Sequence, residues 1–174
     1  TWIIQFGLDK WHETIATKEY KSVLFFKNHG PMSGGSIRHP HSQIIGLRNY
    51  DYHQDITVKN MNGWLLHEDQ DIRITLSKHP IIGFFEYNLR YKPDAPVRSI
   101  AMRLQQTIRY VLDSLAKFSH SYNYFFYQLE DGYEYIKVIP RYITTPLYVG
   151  YKIPQTCNDE RAAKILQNIT PYFE

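Results

Sequence analysis

The stretch NHGPMSGGSIRHPHSQIIGL, residues 28–47, decides how this chain folds and where its chemistry lies. Three glycines and a proline occur within its first nine residues, 28–36, which predicts a loop with special backbone angles. The apolar run VLFF, 23–26, predicts a strand before this loop, and a second strand is expected around HPHSQIIGL, 39–47. The predicted site lies where the loop meets the second strand.

The histidines and glycines of this stretch are spaced for chemistry on a phosphate. Side chains two residues apart on a strand share one face, so His39, His41 and Gln43 are expected to project together. Gly34 and Gly35 have no Cβ, so their backbone N–H groups can approach an anion closely. Neutral imidazole is a competent nucleophile because its ordinary pKa is about 6.5. The pattern favours phosphoryl or nucleotidyl transfer; the alternatives are a zinc site on the HxH pair and an HxH without function.

The rest of the chain alternates strand-like runs with amphipathic segments. Strands are expected at 63–66, 72–76, 80–91 and 147–153, and a hairpin over 122–129 and 133–140 with an Asp131-Gly132 turn. Helices are expected at 8–20, from Val97 to about Phe118, and from Asn158 or Asp159 onward. Strands that outnumber helices and are joined locally predict an α+β protein with an antiparallel sheet.

Composition narrows the class of protein further. Of 174 residues, 43% are apolar and 16% are aromatic, which is typical of an ordered, strand-rich globular protein. A net charge of +3 with dispersed basic residues argues against nucleic-acid binding, and no apolar run approaches the ~18 residues of a membrane span. The single Cys157 excludes an internal disulfide and indicates a reducing cytoplasm. The chain opens at Thr1 within an apparent element interior, so an N-terminal part of the natural protein is expected to be missing.

Two segments resemble one known family. Residues 28–43, with an Asn, a glycine loop ending in Ser and then HPHxQ, resemble the active-site signature of the galactose-1-phosphate uridylyltransferases, members of the histidine-triad (HIT-like) superfamily. PLYVGYKI, 146–153, followed by ERAAKIL, resembles the family's C-terminal VGYE strand and Ala-rich helix. The resemblance implies a HIT-like antiparallel sheet with flanking helices in a single domain over 1–174. In that domain, 1–48 would end a first half that carries the active-site strand, and 63–174 would form a second, degenerate half.

The resemblance also implies roles for individual residues. His41 would be the catalytic nucleophile, and Gln43 would hold the phosphate beside it. His39 would ligate zinc only together with ligands upstream of Thr1. The other implied contacts are nucleotide and phosphate binding by Asn28, Gly34, Gly35 and Ser36, and acceptor binding by Val149 and Tyr151 supplied from the second subunit of a homodimer.

The activity implied by the resemblance is ping-pong nucleotidyl transfer. A nucleotide-sugar or another nucleoside polyphosphate would give its nucleoside monophosphate to His41, and a phosphorylated acceptor would collect it. Lys152 stands where the family carries the Glu that grips hexose hydroxyls, and Tyr133 and Tyr135 stand in place of a second HxH. The alternatives are a dinucleoside polyphosphate phosphorylase or hydrolase of the same superfamily and a nucleotide-binding protein without turnover.

Overall fold

A computed structural model of the chain describes residues 1–35, 37, 39–82, 85–115, 120–142, 146–151, 153 and 159–174, with only the backbone described at 115, 148 and 149. These residues build an antiparallel sheet with helices packed against it. The α+β class predicted from the sequence is therefore confirmed.

Among the described residues, seven strands form one sheet in the order β2-β1-β6-β7-β5-β4-β3. Every neighbouring pair is antiparallel. The strands are β1 Ser22–His29, β2 Gln43–Leu47, β3 Gly63–Glu68, β4 Ile72–Ser77, β5 Tyr87–Tyr91, β6 Tyr122–Gln128 and β7 Glu134–Pro140. The predicted hairpin is the β6–β7 pair, and Gly132 in its turn has the positive φ of 78° that an Asp-Gly turn favours.

Four α-helices lie among the described residues: α1 Trp2–Ala16, α2 Val97–Leu115, α3 Pro146–Tyr151 and α4 Asp159–Ile169. Buried side chains of α1, α2 and α4 share one core with one face of the sheet. The apolar stripe of α2 is buried in that core through Ile100, Leu104 and Val111. Trp11 of α1 is fully buried, and its indole N–H donates to the carbonyl of Val23 at 2.9 Å, which ties the first helix to β1.

The other face of the sheet carries a smaller cluster and a buried ion pair. Residues 52–61, with two short 3-10 turns, lie over this face. The buried members of the cluster are Tyr52, Met61, Leu129 and Tyr135. Lys137 and Glu86 are both fully buried, with 3.0 Å between the ammonium nitrogen and a carboxylate oxygen. Glu86 also accepts the backbone N–H groups of Ile81 and Ile82, which holds this loop in a bend.

Several element boundaries differ from those predicted. The first helix begins at Trp2 and ends at Ala16, before Lys18 with its left-handed φ of 57°. Among the described residues of the predicted strand 80–91, Tyr87–Tyr91 form β5, whereas the backbone N–H groups of Ile81 and Ile82 are bound by the Glu86 carboxylate. The strand predicted over 147–153 was wrong: Pro146–Tyr151 is helix α3, and proline suits the first position of a helix.

Within the described ranges, no helix has the length and apolarity that crossing a membrane requires.

Candidate functional site

The candidate site lies where β1 ends and β2 begins. The predicted loop over 28–36 starts later than expected, because Asn28 and His29 still belong to β1 and pair with Asn123 and Tyr122 of β6. Phe25 lies in the helix-side core, so Phe26 and Asn28 project from the opposite face. Gln43 pairs with Phe26 and therefore lies on that same face.

His39 and His41 precede the second strand instead of belonging to it. The strand predicted from residue 39 begins at Gln43, since Pro40 has no N–H to donate to a strand ladder. The prediction that His39, His41 and Gln43 share one face of a strand is therefore wrong, because only Gln43 of the three belongs to β2. The two histidine rings are nevertheless neighbours, with centroids 5.7 Å apart in an edge-to-face arrangement.

The ring of His41 is held by a backbone carbonyl. Its Nδ1 lies 3.0 Å from the carbonyl oxygen of His39. A carbonyl oxygen can only accept, so in the neutral ring Nδ1 carries the hydrogen and Nε2 keeps its lone pair. No hydrogen bond from any described residue reaches Nε2. In its neutral form the half-buried His41 ring thus has the lone pair on Nε2, and a nucleophile requires such a lone pair.

Two contacts from the helix-side face fix the backbone around this histidine. The ammonium of Lys27 on β1 donates to the carbonyl of His41 at 3.2 Å. The hydroxyl of Ser42 lies 3.4 Å from the phenol oxygen of Tyr124 on β6. Burial lowers the pKa of Lys27 from its ordinary value. The segment that carries His41 is therefore anchored to two neighbouring strands.

A cavity of about 440 Å³ adjoins His41 on this helix-side face. Its walls combine apolar and aromatic side chains with the ammonium group of Lys27 and several polar residues. They include Ile4, Lys27, Leu104, Ile108, Tyr122 and Tyr124. A volume of this size is typical of small-molecule sites in proteins, but this cavity lies on the opposite face of the sheet from Asn28 and Gln43.

The glycine loop next to Asn28 depends on its glycines for conformation. Gly30 and Gly34 both have a φ of 80°. A Cβ at Gly30 would lie 2.4 Å from the hydroxyl of Ser121, whereas one at Gly34 would meet nothing within 4 Å. Gly35 lies against the side chain of Asn28 and donates its N–H to the Ser33 hydroxyl at 3.3 Å. The loop therefore packs against Asn28 at Gly35, whereas Gly34 has free space on the side where a Cβ would lie.

The remaining predicted site residues stand as follows. Ser36 lies outside the described residues, as does the side chain of Val149. Tyr151 is 77% exposed on α3 and does not line the cavity beside His41.

Two residues of this region escaped sequence reasoning. Asn123 of β6 is 1% exposed and donates to the side-chain oxygen of Asn28 at 2.6 Å. Arg141, just after β7, donates to the side-chain oxygen of Asn123 at 2.8 Å. Asn is disfavoured in strands, so its occurrence between Tyr122 and Tyr124 is the signal that could have identified Asn123.

The described residues do not by themselves form a zinc site. Structural zinc needs four ligands, and His39 with His41 supplies at most two imidazoles. Across the described ranges, no three His, Cys, Asp or Glu side chains group closely enough to hold a metal ion. Zinc ligation by His39 together with other ligands stays a prediction.

The fold of this chain is similar to that of solved structures of uridylyltransferase-like proteins. A solved structure described as a uridylyltransferase superposes with a TM-score of 0.72 at 15% identity, over 98% of this chain and 69% of that one. The X-ray structure of a GALT-like protein from Arabidopsis thaliana gives a TM-score of 0.70 at 13% identity, over 95% of this chain and 68% of that one. The expected HIT-like antiparallel sheet with flanking helices is confirmed; at these identities the similarity shows fold.

The family itself follows from nearer similarity. Residues 1–50 match the N-terminal domain, and residues 53–173 the C-terminal domain, of a family described as a domain of unknown function, DUF4931. The crystal structure of a DUF4931 family protein from Bacillus cereus ATCC 10987 superposes with a TM-score of 0.84 at 38% identity, over 98% of this chain and 77% of that one. This chain belongs to the DUF4931 family. No curated protein matches its sequence.

Proposed function

We propose that this DUF4931 protein is a nucleotidyltransferase that carries a nucleoside monophosphate covalently on Nε2 of His41. The observation that carries the proposal is the hydrogen bond between Nδ1 of His41 and the carbonyl of His39, which leaves Nε2 with its lone pair and without a partner among the described residues. The structural similarity to uridylyltransferases supports the same class of reaction.

The proposed reaction has two displacements at one phosphorus atom. In the first, the Nε2 lone pair of His41 attacks the α-phosphorus of a nucleotide-sugar or another nucleoside polyphosphate. A P–N bond forms as the P–O bond to the leaving phosphate breaks, and the leaving oxygen keeps that electron pair. In the second, an oxygen of a phosphorylated acceptor attacks the same phosphorus and the P–N bond breaks. Positive charge that develops on the ring in the first step is stabilised by the carbonyl that accepts from Nδ1.

The neighbouring residues take the phosphate-binding roles. Gln43 and Asn28 lie on one face of adjacent strands, where their amides can donate to non-bridging oxygens. Gly34 presents open backbone, and Gly35 lies directly beside Asn28. Ser36 completes this group in the proposal, on the strength of its place in the motif. Positioning and charge stabilisation by such donors are the main sources of rate in phosphoryl transfer.

The acceptor side is proposed to involve a second copy of the chain. Leu147, Tyr151 and Ile153 are all more than half exposed, which leaves apolar and aromatic surface for a partner subunit. Val149 and Tyr151 would then complete the neighbouring subunit's site. Within each chain, residues 1–48 would be the end of a first HIT half, which carries the active-site strand, and residues 63–174 would form a second, degenerate half.

The identity of the acceptor distinguishes the proposed transferase activity from the alternative activities of a phosphorylase or a hydrolase. A phosphorylase would pass the nucleotide to inorganic phosphate, and a hydrolase would pass it to water. A nucleotide-binding protein without turnover would form no covalent adduct. The acceptor that releases the label from His41 therefore decides between these activities.

Labelling of the protein tests the proposal. UDP-glucose and ATP, each carrying ³²P at the α-phosphate, are mixed with wild-type protein, His41→Ala and the control His79→Ala, which removes an exposed histidine. Wild type and the control are expected to acquire an acid-labile label with the mass of a nucleoside monophosphate, and His41→Ala none. A His41→Ala protein that still takes up the label, or a wild type that never does, would refute the proposal.

A further inference from the structure

A buried asparagine lies directly across from Asn28 on the neighbouring strand. Asn28 of β1 and Asn123 of β6 are cross-strand partners in the sheet register. The side-chain nitrogen of Asn123 donates to the side-chain oxygen of Asn28 at 2.6 Å and to the carbonyl of Ser33 at 3.0 Å. Its side-chain oxygen accepts from Arg141 at 2.8 Å. All the polar atoms of the Asn123 side chain thus have partners.

The partners fix which way the Asn123 amide is turned. A guanidinium can only donate, so the atom of Asn123 that faces Arg141 must be the oxygen. A backbone carbonyl can only accept, so the atom that faces Ser33 must be the nitrogen. Neither contact involves Asn28, and both give the same orientation of Asn123.

The orientation of Asn123 in turn fixes that of Asn28. The atom of Asn28 that lies 2.6 Å from the Asn123 nitrogen must accept, so it is the side-chain oxygen. The nitrogen of Asn28 therefore points away from Asn123, and no described residue accepts a hydrogen bond from it. Asn28 projects from the same face as Gln43 and lies beside Gly35.

We infer that Asn123, held by Arg141, is a positioning residue that makes Asn28 a donor toward the phosphates of the nucleotide. The inference deepens the proposed function and rests on it. With Asn28 turned the other way, its carbonyl oxygen would face the phosphate and repel it. Asn123 itself is buried, so it acts on the phosphate only through Asn28.

Arg141 is placed to keep this orientation. Its backbone N–H donates to the carbonyl of Ser121 at 2.8 Å, which joins the end of β7 to the start of β6. A hydrogen bond from a charged donor to a buried amide oxygen is among the stronger ones in proteins. The network of Arg141, Asn123 and Asn28 thus connects the end of β7 to β6 and β1, and it ends at the side-chain amide of Asn28.

The substitution Asn123→Asp tests this role. An aspartate of the same shape still accepts from Arg141, but it has no N–H for Asn28, so Asn28 is expected to turn its nitrogen toward residue 123. The measured quantity is the Kd for UDP-glucose by calorimetry in the His41→Ala background, where no adduct forms. Asn123→Asp is expected to raise this Kd about 10- to 100-fold, as expected for the loss of a hydrogen bond to a charged group.

A double-mutant cycle separates positioning from a general structural role. In an Asn28→Ala protein the same Asn123→Asp change is expected to alter Kd less than about twofold, because the donor it controls is already gone. If Asn123→Asp weakens binding equally with and without Asn28, or leaves Kd unchanged, the inference is overturned.

Arg141→Met provides the second variant should Asn123→Asp fail to fold. It removes the donor to Asn123 without touching Asn28, and it is expected to weaken binding by about 3- to 10-fold in the presence of Asn28 only. Equal weakening in the Asn28→Ala protein would overturn the inference. Because these measurements use a protein that cannot form an adduct, failure of the labelling experiment and failure of this cycle are separate results.

Discussion

Nε2 of His12 on α1 lies 2.6 Å from a carboxylate oxygen of Glu134 on β7. Glu134 is 1% exposed, whereas the histidine side chain is 39% exposed. The buried carboxylate of Glu134 therefore takes its partner from a helix that packs over the sheet, and this contact joins α1 to β7. The hydrogen bond to Glu134, with further attraction from Glu134 and Asp9, raises the pKa of His12 against the opposing effect of burial.

The raised pKa of His12 predicts a pH-dependent contribution to stability. A group whose pKa is higher in the folded protein stabilises it fully below its unfolded pKa, here about 6.5, and loses that contribution as pH rises through the folded value. Wild type is expected to exceed His12→Gln in thermal stability by more at pH 6 than at pH 8.5. Thermal unfolding of both proteins across this range is the measurement. A difference that stays constant with pH contradicts the assignment.

The buried pair of Lys137 and Glu86 predicts a large cost when one partner is removed. Lys137→Met leaves a fully buried carboxylate without its counter-charge, so the free energy of unfolding is expected to fall by about 3–5 kcal/mol. Chemical denaturation measures the loss. In the double variant Lys137→Met with Glu86→Gln, the loss of unfolding free energy is expected to be smaller. The buried negative charge of residue 86 is gone, and the glutamine oxygen still accepts the backbone N–H of Ile81. A double variant less stable than Lys137→Met would contradict this account.

The two glycines at a φ of 80° are predicted to respond differently to substitution. At Gly34 the only penalty is backbone strain, so Gly34→Ala is expected to cost about 1–2 kcal/mol and Gly34→Asn less, because Asn tolerates the left-handed region. Gly30→Ala adds a clash with Ser121 and is expected to cost more than Gly34→Ala. Urea denaturation of the three variants measures how far each lowers the free energy of unfolding. Equal losses at both positions would show that the contact with Ser121 relaxes freely.

The contact between Lys27 and the carbonyl of His41 predicts an effect on rate. Lys27→Met removes this anchor and lets the His41 backbone move, so adduct formation is expected to slow by about tenfold while the fold is kept. Single-turnover labelling gives the rate, and Lys21→Met serves as a control at an exposed lysine. Unchanged labelling in Lys27→Met would show that His41 is held without this contact.

The secondary-structure elements that could be predicted are those specified by residues close together in the sequence. The helix from Val97 follows from its 3.6-residue apolar stripe, and the hairpin turn follows from Asp131-Gly132. The limits of β1 and β2 could not be predicted in this way. Asn28 and His29 are strand because β6 pairs with them, and Pro40 delays the start of β2 to Gln43. The segment from Pro146 has strand-like composition but is a helix.

The sequence by itself determined which residues carry the proposed chemistry, because the order of Asn28, the glycine loop, His41 and Gln43 is a property of a continuous segment. Only the tertiary structure decided their chemical state. The tautomer of His41 depends on where the carbonyl of His39 points, and the orientation of Asn28 depends on a hydrogen bond to a residue 95 positions away. Hydrogen bonds select donors and acceptors by position in space, and spacing along the chain does not give that position for residues on different strands.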